Sequence, residues 1–217
     1  MKLKLFMFLS LLLVTVLGLS PYFDQQFAIL PYDFYTNKFY GEVAPWCLFV
    51  YQLVSLATIL LIVIPSVLFM YKRKNLLVKR MFLITILSLA IGPGLFVNLA
   101  FKEHWGRARP YQVIRDNSQF ALPWQPDFNQ PKNNSFPSGH ESIGAFIGIP
   151  FIAYRKRKLG VTLSILGAIV VGAVRWLQGG HYFTDIAASA LIVWLISIVV
   201  FAAVDKMIKW NSHETAY

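Results

Sequence analysis

The stretch VAPWCLFVYQLVSLATILLIVIPSVLFMY, Val43 to Tyr71, carries no charged side chain. A helix needs about 20 apolar residues to cross the roughly 30 Å hydrocarbon layer of a bilayer, so this stretch predicts a transmembrane helix. Residues 81–101 form a second uncharged run. Working outward from these two gives six candidate spans, at about 4–20, 45–70, 81–101, 137–154, 159–177 and 184–204. The fourth and fifth are tighter than the rest: Glu141 and Arg155 bracket 13 uncharged positions, and Lys158 and Arg175 bracket 16. Each must therefore place a charged residue at or near an interface.

Composition supports the same class. The 217 residues are 57% hydrophobic and 14% charged, more apolar side chain than one soluble core uses, and the apolar residues fall in long runs. The expectation is an all-α bundle of six transmembrane helices, a single domain over residues 1–217, with the bilayer as its surroundings. The 20 Lys and Arg against 10 Asp and Glu would suggest nucleic acid in a soluble chain. Here many of the basic residues sit in short clusters between apolar runs, which suits anionic lipid surfaces and excludes nucleic acid as a partner. Cys47 is the single cysteine and lies in an apolar run, so no internal disulfide is possible and a packing role is expected.

The basic residues orient the bundle. With a cytoplasmic N-terminus, the inner segments hold Lys2, Lys4, Lys72, Arg73, Lys74, Lys79, Arg80, Arg155, Lys156, Arg157, Lys158, Lys206 and Lys209, the majority of the 20. Lys38, Lys102, Arg107, Arg109, Arg115, Lys132 and Arg175 fall outside. The positive-inside rule thus predicts both termini in the cytoplasm. The first segment has a rival reading as a cleaved signal peptide, with small residues near Gly18 and Ser20, which leaves the sidedness of the other spans unchanged.

In this topology the polar residues that look out of place collect at the outer interface. Lys102 ends the third span, Arg107 and Arg109 follow it, His140 and Glu141 open the fourth, Arg175 closes the fifth, and His181 and Asp185 open the sixth. Charged groups at membrane depth are costly unless paired or functional, so their convergence from four helix ends marks a site. Lys102, Arg109 and Arg175 are three cations suited to a phosphate dianion and to the charge spread over its oxygens during transfer. Ser138 and Gly139 follow Pro137 where a helix should begin, and free N–H groups at a helix start bind anions. His181 and Asp185 share a helical face if the helix begins by His181, so the carboxylate would hold one ring nitrogen and leave the other to attack phosphorus. His140 is then the general acid that protonates the leaving oxygen and later activates water.

KEHWGRARP (Lys102 to Pro110) matches K-x6-R-P, PSGH spans Pro137 to His140, and RWLQGGHYFTD (Arg175 to Asp185) matches R-x5-H-x3-D. Together these resemble the three-part signature of the type 2 phosphatidic acid phosphatase superfamily, and their order and spacing make the match specific. The resemblance implies a metal-independent phosphatase acting on a phospholipid or glycolipid phosphate. The long loop between the first two motifs and the WGRARP wording are similar to bacterial lipid A phosphatases; undecaprenyl diphosphate and phosphatidylglycerol phosphate are the alternative substrates. If the host is Gram-negative, the expected location is the inner membrane with the site facing the periplasm. The family's third motif usually opens Ser-Arg where this chain has Val174 and Arg175, which implies a missing hydroxyl contact to phosphate. A phosphate- or lipid-binding transporter is the non-enzymatic alternative, but it has no need of His181 and Asp185 at their spacing.

The remaining residues have plainer readings. Arg107 is expected at lipid headgroups, with phosphate contact as the alternative. Glu141 either tunes His140 or pairs with a nearby arginine. His104 and His213 are expected in solvent, and Gly144 to Gly148 forms a small-x3-small helix contact. The loop Asp116 to Asn134 has no period, and its Phe120, Leu122, Trp124 and Phe128 either flank the substrate or anchor at the interface. No His, Cys, Asp and Glu set has metal-ligand spacing, so no metal or other cofactor is expected.

Overall fold

The computed structural model describes residues 2–130 and 133–214. The expectations for Lys132, and for the side chains of Lys2, Lys209 and His213, fall outside what is described. The chain is mostly helical, and the described residues contain four helices long and apolar enough to cross a membrane: Pro45–Lys72, Leu76–Lys102, Arg157–Leu177 and Phe183–Ile208. A bent pair, α1 (Lys2–Gly18) and α2 (Ser20–Ile29), brings the number to five if it counts as one span. The bend is 66° and falls at Leu19, just before Pro21. Proline lacks the amide hydrogen that would continue α1, and its ring clashes with the carbonyl one turn back, so the helix restarts on a new axis. The bend was not expected from the apolar run, and it matters because α2 carries Asp24 inward.

The first full span is α4 (Pro45–Lys72), and the next begins as α5 (Leu76–Leu89). Asn75 starts α5 by accepting from the backbone N–H groups of Leu77 and Val78. From Ala90 to Lys102 the helix continues in wider π-helical geometry, in which the Asn98 side chain donates to the Pro93 carbonyl at 2.6 Å. The last two spans are α9 (Arg157–Leu177) and α10 (Phe183–Glu214).

The expected fourth span, 137–154, is not one helix. It divides into α7 (Gly139–Phe146) and α8 (Ile149–Ala153), separated at Ile147 and Gly148. Neither piece alone is long enough to cross, so the described residues hold four helices long and apolar enough to do so, or five with the bent pair. The reason is burial. All of α7 except His140 is buried, so its apolar residues serve the protein core instead of lipid. Gly144 lies against the carbonyl of Gly167 and Gly148 against that of Gly160, approaches to α9 that leave no room for a Cβ. Near the opposite end, Arg80 of α5 pairs with Asp205 of α10 at 2.7 Å and donates to the Ala153 carbonyl closing α8. That junction sets the start of α5 beside the ends of α8 and α10, so α5 runs opposite to the other two.

The end opposite the Arg80 junction is capped by a small hairpin, β1 (Tyr32–Asp33) with β2 (Lys38–Phe39), by α3 (Tyr40–Val43) and by α6 (Pro110–Arg115). Residues 116–130 form turns without regular structure. Their aromatics divide: Trp124 and Phe128 are exposed, whereas Phe120 meets Tyr182 edge-on at 5.3 Å. Cys47 is buried with Ala44 and Val174, so Val174 faces an apolar cluster.

Candidate active site

Seven chain segments meet here: the first part of α4, the end of the π-helical stretch, the starts of α6 and α7, the segment before α7, the end of α9, and the approach to α10. Ser138 starts α7 by accepting from the Glu141 N–H at 3.5 Å. Among the described residues, the N–H groups of Gly139 and His140 have no acceptor. A Cβ on Gly139 would stand 2.5 Å from Asn98 Oδ1 and 3.2 Å from Lys102 Nζ, so glycine is what lets the lysine close on the helix start. Gly179, with φ +61°, ends α9 and turns the chain toward His181; a Cβ there would enter the Phe39 ring.

Three cations line this space. Arg109 donates to Asn134 Oδ1 through Nε at 3.0 Å and Nη2 at 2.6 Å. Arg175 donates to Gln178 Oε1 at 2.5 Å, lies 5.1 Å from the Tyr51 ring centre and packs on Gly180. Lys102, Arg109 and Arg175 are within electrostatic range of one another. None of the three has an ion-pair partner among the described residues, although four carboxylates pair with other cations. Like charges held together with amide oxygens for neighbours leave an uncompensated positive potential that favours a polyanion. The His140 ring stacks on Tyr51, centroids 4.3 Å apart at 20°.

His181 is buried beside the cations, and its tautomer can be read from its neighbour. Nδ1 lies 2.6 Å from the Ser135 carbonyl oxygen, which can only accept, so Nδ1 carries the hydrogen and Nε2 keeps its lone pair. The expected direct hold by Asp185 is replaced: Nδ1 is 3.8 Å from Asp185 Oδ2, too far for a hydrogen bond. The cause is that α10 begins at Phe183, so His181 lies outside the helix and the four-residue spacing does not bring the pair together helically. Asp185 Oδ2 instead accepts from the Tyr182 N–H at 3.0 Å and the Ser135 hydroxyl at 2.5 Å, and so orients the residue that anchors the imidazole. Burial, reinforced by Arg175 and Arg109 and opposed by Asp185, pushes the His181 imidazole down from 6.5 to about 3. It is a neutral base at physiological pH.

Two other expectations are corrected. Arg107 meets neither headgroups nor the phosphate space: it is buried, paired with Asp24 at 2.7 Å and with Asp185, and hydrogen-bonded to the Ala121 carbonyl at 2.9 Å. Glu141 neither tunes His140 nor pairs with an arginine. It points toward Gly172 of α9, and among the described residues its oxygens have no hydrogen-bond partner. His104 is exposed. No group of three His, Cys, Asp or Glu residues suited to a metal occurs among the described residues.

Sequence reasoning missed Tyr51, Asn98, Asn134, Ser135 and Asp24. Asn98 had a usable signal, standing one helical turn before Lys102 in an apolar run. Asn134 and Ser135 lie in loop, where no period reports direction.

Comparison with known proteins sets this geometry in a family. The chain is 33% identical over 195 residues to the lipid A 4'-phosphatase of Francisella tularensis subsp. novicida (strain U112), covering 84% of this chain and 86% of that protein. It is 32% identical over 131 residues to the lipid A 4'-phosphatase of Rhizobium leguminosarum, covering 58% of this chain and 54% of that protein. No solved structure matches the chain. The family model described as PAP2 superfamily matches residues 80–209, a stretch that holds all three cations, both histidines and Asp185. By that match over more than half its length, this chain belongs to the PAP2 superfamily.

Proposed function

We propose that the protein is a lipid phosphatase of the membrane that removes a phosphate from lipid A, the substrate class in the names of its relatives. The observation that carries this reading is the meeting of three cations lacking carboxylate partners with an imidazole whose Nε2 is free. Lys102, Arg109, Arg175 and the N–H groups of Gly139 and His140 hold the phosphate oxygens. His181 Nε2 attacks phosphorus while the bond from phosphorus to the lipid oxygen breaks, and His140 gives that oxygen its proton. His140 then takes a proton from water, the resulting hydroxide displaces His181 from phosphorus, and inorganic phosphate leaves. The Ser135 carbonyl stabilises the imidazole through Nδ1–H, in place of the carboxylate the spacing suggested. The three fixed cations supply the charge stabilisation that a metal would give, so the reading needs none.

The same reading takes the bent pair and the α7–α8 pair as the first and fourth of six crossings, with both termini cytoplasmic and the site toward the periplasm of a bacterial inner membrane. The cluster of basic residues between the apolar runs supports this sidedness. At about 1.5 Å per residue, α7 and α8 together fall short of the roughly 30 Å hydrocarbon layer, which would set His140 below the outer surface.

The test is phosphate release from lipid A carrying its 4'-phosphate, by the full chain in detergent with a chelator present. Release of inorganic phosphate with a product lighter by one phosphate is expected. Intact lipid A beside turnover of another lipid phosphate would overturn the substrate, and loss of activity to the chelator would overturn the mechanism. Gly139→Ala serves as a local check on the anion cradle. Its Cβ displaces Asn98 and Lys102, so kcat/KM should fall about ten- to a hundred-fold, the scale of one charge-assisted hydrogen bond.

A further inference from the structure

Asp24 lies in α2, beyond the bend and outside the family-matched residues. It is fully buried, yet it is well supplied with donors: the Ser20 hydroxyl, Arg107 Nη2 at 2.7 Å, the Thr184 N–H at 3.1 Å and the Thr184 hydroxyl. A carboxylate with these bonds is held in one orientation. Its partners lead directly to the nucleophile. The guanidinium of Arg107 is planar and rigid, so fixing Nη2 on Asp24 fixes the aim of Nη1, which donates to Asp185 Oδ1. Asp185 Oδ2 accepts from the Ser135 hydroxyl at 2.5 Å, and the Ser135 carbonyl anchors His181 Nδ1 at 2.6 Å. Thr184, next to Asp185 in the chain, is held by Asp24 through both its backbone and its side chain.

We propose that Asp24 is a positioning residue for the nucleophile, acting through Arg107 and Thr184 on Asp185, so that the bent N-terminal helix pair belongs to the catalytic apparatus. This rests on the phosphohistidine reading above. Asp24 shares the Arg107 charge with Asp185; with Asp24 neutralised, that charge falls on Asp185 alone and draws its carboxylate away from Ser135. The imidazole then loses its fixed anchor while the three phosphate-holding cations stay as they are. The loss therefore belongs in the chemical step.

The experiment compares wild type with Asp24→Asn as full chains in detergent, on lipid A carrying its 4'-phosphate, with rapid-quench trapping of phosphorylated enzyme. The expected result is a fall in kcat of about ten- to a hundred-fold, as for orienting groups behind a reactive ligand, with KM changed less than about twofold and trapping slowed in parallel. A merely structural Asp24 would lower the amount of folded, monodisperse protein and leave kcat per folded molecule unchanged, which overturns the proposal. If Asp24→Asn yields no folded protein, Thr184→Val carries the test, because it removes the hydroxyl that donates to Asp24 and accepts from Arg107 Nη1 while the ion pairs of Arg107 stay in place. A kcat-only loss of about threefold or more then supports the proposal and an unchanged kcat overturns it. Inactive wild type would remove the phosphatase reading and this inference together, whereas active wild type with an unaltered variant overturns only the inference.

Discussion

Replacing His181 with alanine is expected to remove phosphate release and to abolish the trapped phosphoenzyme, a loss of about four orders of magnitude or more for the missing nucleophile. The size follows from the specificity of the arrangement. Only one of its ring nitrogens is available: Nδ1 is committed to the Ser135 carbonyl, so Nε2 is the one left to attack. The imidazole is also already neutral. With its value pushed down to about 3, no proton has to leave before attack, and its acid limb in kcat/KM lies near that value, well below the ordinary 6.5. Because the ring is almost completely enclosed, alanine leaves a cavity of imidazole shape. Added imidazole should enter it and restore a small part of the turnover, which a variant that had lost its fold would not recover. Robust turnover by His181→Ala in a monodisperse preparation would remove this nucleophile from the mechanism.

The parts of this site that were legible in the sequence are those whose chemistry depends on local spacing. Arg175, His181 and Asp185 fall in one short motif, in which Gly179 turns the chain at positive φ, and Gly139 opens α7 beside Lys102 in another. The parts that were not legible depend on distant partners. Hydrophobicity cannot separate a segment buried in protein from one buried in lipid, which is why α7 and α8 read as one continuous helix when they form a broken, largely protein-enclosed pair. The helical pairing of His181 with Asp185 failed for a related reason: Asp185 takes the Tyr182 N–H at 3.0 Å as part of the helix start, which leaves His181 outside the helix. Asp24 reaches residues 83 and 160 positions away, and no periodicity reports contacts of that range.

Arg107 tests that last point most severely. At a headgroup-facing arginine, replacement would cost no more than exposed ion pairs usually do, up to about 1 kcal/mol. In the structure Arg107 has no exposed surface, and it stands between Asp24 and Asp185, which are equally enclosed. Burial alone would lower its hold on the proton, but the two carboxylates outweigh that and raise it, so the guanidinium stays charged. Arg107→Ala strands two buried carboxylates at once, and stranding even one partner of such a pair costs about 3–5 kcal/mol. The variant is therefore expected to lose at least that much stability, read as a shifted unfolding midpoint in detergent or as failure to yield monodisperse protein. Arg107→Lys should recover only part of it. An ammonium restores the charge but cannot reach Asp24, Asp185 and the Ala121 carbonyl through one rigid plane, and it gives up the stacking of the guanidinium 4.3 Å from the Tyr182 ring centre. A loss below about 1 kcal/mol in Arg107→Ala would return this arginine to the lipid surface. It would also remove the link through which α2 reaches Asp185.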